Sequence, residues 1–283
     1  MNSLGLLFFG AVVLLGIVLL DRIAMHLVRP VPVQPDRTVR DTGLIHEDFT
    51  ILSNGHRLHA WLLSDGKGRH KEPLLILAHG WGASYGTVLH LAEPLVDEGH
   101  EVLLFDVRGH GRNKPASFVT VRHFKDDLMS VIGYAGKRFP GRKLSVIGHS
   151  FGGAASVLAA ADGADIDKLV LIAAPSDVLR ITAEYLTDNG MPGSLVVWVL
   201  RPFWWLRNGG TFRSLTPSRR ISEVEVPLLI IQPEDDGRVT REHAQQLSAA
   251  SGVPHQIVPD CDHTSVLGAP VTTRLVTEFL GTW

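Results

Sequence analysis

Residues 144–161 read LSVIGHSFGGAASVLAAA, and the change of pattern inside them decides the architecture. Residues 144–147 are an apolar run too short for a helix, Gly148-His149-Ser150-Phe151-Gly152 fits G-x-S-x-G, and a helix-forming stretch follows from Ala154. A strand that passes into a helix around a serine needs a sharp turn, and Gly148, Gly152 and Gly153 let the two backbones approach closely. Such a turn lifts the Ser150 hydroxyl above the end of a sheet. It also sets it beside a helix N-terminus, which favours negative charge developing there.

The rest of the chain repeats that rhythm. Short apolar runs at 74–78, 102–105, 169–173, 228–231 and 256–258 alternate with helical periodicity at 88–98, 123–138, 154–161, 241–250 and 271–280. Alternation of this kind predicts a mostly parallel central sheet with helices on both faces, an α/β fold, and the nearly continuous apolar strands agree with burial on both sides. Ahead of it, 46–53 and 56–63 read as two extended segments joined at Asn54-Gly55, a dipeptide suited to a two-residue hairpin turn.

Composition narrows the partners. The 283 residues are 45% hydrophobic and 20% charged, which excludes disorder and fibrous repeats. With 27 basic against 29 acidic side chains there is no positive surplus for a phosphate backbone, so no nucleic acid is expected. A single cysteine, Cys261, cannot form an internal bridge, and the core alone must hold the fold. The pairs His56/His59 and His100/His110 lack the companions of a metal site, so no metal is expected.

Residues 4–20, LGLLFFGAVVLLGIVLL, carry no charge. As a helix they span roughly 26 Å, and Ile23, Ala24, Met25, Leu27 and Val28 extend the apolar length toward that of a bilayer core. Only Met-Asn-Ser precedes the run, without the positive flank of a signal peptide, which favours an uncleaved single-pass anchor. Arg22, Arg29, Arg37 and Arg40 all follow it, so the positive-inside rule puts the body on the cytoplasmic side. RPVPVQPD, at 29–36, reads as a stiff extended spacer. The expected organisation is thus an anchor at 1–28, a proline-rich linker at 29–44 and a catalytic domain at 45–283. One stretch of that domain, at about 177–222 and containing Trp198, Trp204 and Trp205, breaks the rhythm. It reads as a helical lid insertion, either plain packing helices or a cover for a substrate pocket that dips toward the bilayer.

An acyl-transfer serine needs a base, an orienting acid and oxyanion donors, and candidates follow in the order Ser, Asp, His. His263 lies in the loop after the last strand. Three carboxylates, Glu234, Asp235 and Asp236, compete in the loop after 228–231, with Asp177 as an outside candidate. The oxyanion donors are expected to be the backbone N–H groups of Phe151 and of Trp81, in the glycine-rich loop His79-Gly80-Trp81-Gly82. Asp106, Arg108, His110 and Arg112 read as a salt-bridged structural loop, and Asp126-Asp127 as a solvent-facing pair on a helix.

HGWGAS at 79–84, DVRGHGRN at 106–113, GHSFGG at 148–153, VPLLIIQPEDDGRV at 226–239 and the terminal Asp262-His263 together resemble the α/β-hydrolase superfamily. The likeness is to its lysophospholipase-like and serine-aminopeptidase-like bacterial branch, over about residues 45–283. That branch usually ends its penultimate strand in His-Gly-x-x-Asp, and Gln232-Pro233-Glu234-Asp235-Asp236 matches in length, which implies Asp236 as the acid. Gln-Pro replaces His-Gly here, and Asn113 stands where serine is common. The resemblance implies a cofactor-free serine hydrolase that cleaves carboxylic esters through an acyl-enzyme, in the manner of a carboxylesterase or lysophospholipase, on a small-molecule or lipid ester. A peptidase or thioesterase would use the same triad. A non-catalytic, membrane-tethered binding protein is the competing class, and the intact Ser, Asp and His set argues against it.

Overall fold

Both residues of the Asn54-Gly55 turn take positive φ, 45° and 81°, in a computed structural model that describes residues 3–68, 71–209 and 212–281. Residues 1–2 of the expected anchor, 210–211 of the expected lid, and 69–70 and 282–283 of the expected catalytic domain lie outside the described residues. Positive φ at both positions gives the turn a twist that matches paired strands. It joins β1 (Ile45–Ser53) to β2 (His56–Ser64) in unbroken antiparallel register. With β3 (Lys71–Ala78), β4 (His100–Phe105), β5 (Leu144–His149), β6 (Lys168–Ile172), β7 (Leu228–Pro233) and β8 (His255–Val258) they form an eight-stranded sheet in the order β1-β2-β4-β3-β5-β6-β7-β8. Among the described residues, only β1–β2 and β2–β4 pair antiparallel. Each expected strand lies in this sheet, although Ala173 turns out of β6 with φ 51°.

After the N-terminal α1 (Ser3–Leu27), the helices α2 (Tyr85–Asp97), α3 (Val121–Arg138), α4 (Phe151–Ala161), α8 (Arg241–Ser251) and α9 (Pro270–Gly281) cover the two faces of the sheet. The two-residue period of β3 shows why its run is apolar throughout. Leu74 and Ile76 join Phe124, Leu128 and Leu158 on one side, while Leu75 and Leu77 join Leu89, Leu91 and Val276 on the other. Each fully buried leucine contributes about 1.5–3 kcal/mol. From β3 the chain moves outward to β4, and from its neighbour β5 it moves the opposite way to β6. Where strand order reverses, a crevice opens at the carboxyl ends of the strands, and open α/β sheets place their sites there.

Between β6 and β7 lie α5 (Val178–Asp188), α6 (Gly193–Arg207) and the short α7 (Pro217–Arg220), which occupy the expected insertion. Val197, Leu200 and Trp204, spaced at helical intervals on α6, bury against Leu186 of α5 and Ala24 of α1. The Trp204 indole donates to the Ala24 carbonyl at 2.9 Å, and Arg207 pairs with Asp21 at 2.7 Å. The last turns of α1 are thus packed on the insertion, while Leu4, Leu7, Phe8, Leu15 and Leu19 project outward.

The proline-rich stretch and its flanks pack on the body. Val119 N–H donates to the Val28 carbonyl at 2.8 Å, Arg37 pairs with Glu93 at 2.6 Å, and Pro35 lies so close to Gly86 that a Cβ there would meet it at 2.4 Å. Extended proline backbone makes no internal hydrogen bonds, so its flat apolar edges are free to pack on glycine surfaces. Asp127 also differs from expectation. It is fully buried and accepts from Arg108 Nε at 3.0 Å and from Ser53 Oγ at 2.6 Å, tying β1 to the loop after β4. A charged pair on a helix does not reveal that one member meets a buried guanidinium from another element.

Candidate active site

Ser150 sits at the junction of β5 and α4 with φ 54° and ψ −123°, a conformation that costs a side-chain-bearing residue of order 1–3 kcal/mol. The surroundings hold it there. Its own N–H donates to the Ile172 carbonyl of β6 at 2.9 Å, and its carbonyl accepts from Ala154 N–H at 3.1 Å. Glycine is obligatory at two neighbours: a Cβ on Gly152 would lie 2.2 Å from the Ala78 carbonyl oxygen, and one on Gly80 would lie 2.8 Å from Ser150 Cβ. The loops after β3 and β5 are therefore in direct contact across the reversal of strand order.

His79 orients the first of these loops. Fully buried, its imidazole is held down to about 3 by loss of solvent and then by the neighbouring His110, so it is neutral. Its Nε2 accepts from Val107 N–H at 3.0 Å, which leaves Nδ1 to donate to the Gly80 carbonyl at 2.8 Å. In a trans peptide, the Trp81 N–H points opposite to that carbonyl. The Trp81 ring stands against Phe124, Phe151 and His110, with centroids 6.2, 5.7 and 5.4 Å away. Phe151 opens α4, whose first N–H groups have no partner within the helix.

His263 follows β8 and Asp236 follows β7. The His263 Nδ1–H donates to Asp236 Oδ2 at 2.8 Å. Asp236 Oδ1 accepts from the backbone N–H groups of Arg238 and Val239, at 2.9 and 2.8 Å. Those bonds fix the carboxylate, while Glu234 and Asp235 point into solvent. Fixing the proton on Nδ1 leaves Nε2 as the basic ring nitrogen. His149 holds the same loop from the other side: its Nε2–H donates to the His263 carbonyl at 2.7 Å, and the two rings are 4.8 Å apart. Burial, followed by His263, pushes the His149 imidazole down to about 3 and keeps it neutral. Asp262 folds the turn around His263 by accepting from the N–H groups of Ser265 and Thr264, which hold its carboxyl down to about 2. Ser150 and His263 retain only 9% and 7% of their exposure, so the set is nearly closed to solvent.

Among the other sequence candidates, Asp177 caps α5, accepting from Leu179 and Arg180 N–H. Asp106 accepts from Tyr85 and Arg112 N–H, each at 2.8 Å, and burial raises its carboxyl to about 6. With the Arg108–Asp127 pair it forms the scaffold of the loop that holds His79. Sequence reading missed His79 and His149 as orienting groups. Their signals were present, since each histidine directly adjoins a residue already singled out, Gly80 or Ser150.

A sheet of this order, with a strained serine elbow at its centre and a histidine–aspartate pair in the loops after the last two strands, defines a class: the chain has the α/β-hydrolase fold. The family described as serine aminopeptidase, S33, matches residues 69–204. The AB hydrolase superfamily protein YfhM of Bacillus subtilis is 32% identical over 129 residues, 44% of this chain and 42% of the relative. A monoacylglycerol lipase of Mycolicibacterium smegmatis is 33% identical over 82 residues, 28% of this chain and 29% of the relative. These matches span less than half the length of either relative. The esterase Pf2001 of Pyrococcus furiosus shares the fold with a TM-score of 0.70 and 22% identity, covering 90% of this chain and 97% of that one.

Proposed function

We propose that the protein is a serine hydrolase that cleaves carboxylic esters through an acyl-enzyme. The observation that carries this reading is the 2.8 Å bond from His263 Nδ1 to Asp236, on a histidine whose loop is tied to the residue beside a strained Ser150. In the proposed cycle, His263 Nε2 takes the Ser150 proton as Oγ attacks the ester carbonyl. Asp236 holds the tautomer and stabilises the imidazolium that forms. The amides of Trp81 and Phe151 stabilise the tetrahedral oxyanion, and such a donor is worth about 2.7–4 kcal/mol in related chemistry. The imidazolium then protonates the leaving alcohol, and water repeats the sequence to release the acid. Similarity to a monoacylglycerol lipase supports an ester as the substrate.

The same reading makes α1 a retained single-pass anchor, with the body on the cytoplasmic side. Its 18-residue core has a mean hydropathy of 2.7, and none of that window is buried. Retention is supported by the bonds from Trp204 to Ala24 and from Arg207 to Asp21, which cleavage of a leader would leave without partners.

A fluorophosphonate probe should label the protein once, at Ser150, and Ser150→Ala should abolish both labelling and hydrolysis of p-nitrophenyl esters. Hydrolysis of aminoacyl anilides in preference to esters would favour the peptidase reading, and a folded protein that takes no label would favour the binding protein.

A further inference from the structure

Where α1 leaves its apolar run, the insertion carries a basic groove. The uncharged stretch ends at Leu20, and the next residue, Asp21, pairs with Arg207 at the end of α6. Ala24, Met25, Leu27 and Val28 pack on the insertion rather than lengthening the span. The ion pair therefore sets the last turn of α6 at the level where an anchored α1 would enter the headgroup layer. Two neighbours in this turn, Trp205 and Leu206, are 45% and 65% exposed. Tryptophan is the side chain best suited to that layer, with an apolar body and a polar N–H.

Trp205 also lines a groove of about 610 Å³, together with Phe212, Arg201, Arg213 and Arg219. Ser214, Glu223 and Arg220 complete its wall, but Glu223 and Arg220 pair with each other at 2.8 Å, and Arg220 also pairs with Asp162 at 2.9 Å. Arg201, Arg213 and Arg219 have no carboxylate partner among the described residues. Arg201 lies over the Phe212 ring at 5.8 Å, which holds its guanidinium at the groove. Three free guanidiniums beside an exposed tryptophan match an anionic phosphate set against acyl chain, and arginine recognises phosphate through paired N–H donors.

We infer that this groove is a docking site for the anionic phospholipid headgroups of the bilayer that holds α1. The inference rests on the reading of α1 as an anchor. The insertion is then seated on the membrane by the packed end of α1, and its attraction to the surface adds to the tether. The proline-rich stretch, packed on the body, keeps this geometry fixed rather than leaving the catalytic domain to swing.

The test uses the full chain in nanodiscs of phosphatidylcholine alone or with 30% phosphatidylglycerol. The anchor reading is checked first: the protein must stay with the membrane fraction after carbonate extraction, and its release there would overturn the anchor and the docking site together. With the anchor in place, Trp205 emission should be quenched by headgroup-region spin labels at least twofold more in the anionic discs, with the difference shrinking as salt rises. Trp205→Phe identifies that component among the other tryptophans. The triple variant Arg201→Gln, Arg213→Gln, Arg219→Gln should abolish the lipid dependence while its melting temperature holds. The matching triple lysine variant should keep part of it, as point charges without paired donors, and gives a second test where the glutamine variant does not fold. Equal quenching in both discs, or a glutamine variant that behaves as wild type, would overturn the proposal. Two copies per disc that become one on arginine replacement would overturn it in favour of a contact between chains.

Discussion

Ser150, His263 and Asp236 stand on the loops after β5, β8 and β7, whereas Ser176, His243 and Glu184 link the loop after β6 to α8 and α5. By residue type the two sets are alike, and the histidine–carboxylate contacts are equally short, 2.8 Å from His263 to Asp236 and 2.9 Å from His243 Nε2 to Glu184, while Ser176 Oγ lies 2.8 Å from His243 Nδ1. Their wiring differs. In the second set the Ser176 backbone N–H donates to His243 Nδ1 at 3.1 Å, so the proton sits on Nε2 and points to the carboxylate. The Ser176 hydroxyl lies 2.6 Å from the Gln246 side-chain carbonyl, and both Ser176 and His243 are fully buried. A helix starts close by in each case, α4 at Phe151 and α5 at Val178, but Ser176 lacks the positive φ of Ser150. Composition and proximity do not distinguish the proposed nucleophile from a latch. Backbone strain, tautomer and access do.

Removing the acid from each set gives the largest contrast. Asp236→Asn should lower kcat about 10⁴-fold, because an amide facing His263 stabilises the wrong tautomer and no imidazolium. Glu184→Gln should leave kcat within about threefold, since no atom of it touches the reacting group. Its cost should appear in stability instead, at about 1 kcal/mol for a weakened hydrogen bond, read from chemical denaturation. A collapse of turnover in Glu184→Gln with Asp236→Asn active would reverse the assignment.

A smaller effect separates the orienting groups from the reacting ones. His149→Phe keeps a ring against His263 but removes the donor to its carbonyl. An unsatisfied buried acceptor costs about 1–3 kcal/mol, so kcat should fall roughly 5- to 100-fold with KM little changed. His149→Gln returns an N–H to the same side and should recover most of the loss. Equal loss in both variants would mean that ring packing rather than the hydrogen bond places His263.

These pairs also show how far the sequence could be read. The strands and the elbow were legible because burial on both faces makes a strand apolar throughout and because a tight turn admits few residues. Ser150, with glycines at 148, 152 and 153, carries its own geometry in the chain. Asp236 was open among three neighbouring carboxylates on chemistry alone, and family register was needed to single it out. Asp127 and the Ser176–His243–Glu184 latch were not legible, since each joins elements far apart in the chain, and surface-like residues give no sign of a buried partner. What residues 29–36 lie against was not legible for the same reason: proline predicts extension but not the surface that the extended chain meets.

The smallest expected effect concerns acid. Burial alone would raise the Glu184 carboxyl, but hydrogen bonds from His243 and Arg180 outweigh it and hold the group below its ordinary range. A carboxyl depressed by folding lends stability that is complete above its unfolded value, about 4.3, and is lost as pH falls through the lower folded value. The attachment of α5 should therefore weaken in acid and not in alkali. Asp162, depressed by Lys125 and Arg220 against the pull of burial, weakens over the same range in any variant, so only a difference between proteins isolates the latch. Glu184→Gln has no proton to take up there, and its melting temperature should fall less steeply than that of the wild type between about pH 5 and 3. Hydrogen exchange along α5 should show the same convergence. If the two melting curves instead stay parallel through that range, Glu184 is not the proton-sensitive member, and the contrast between the sets rests on access and backbone strain alone.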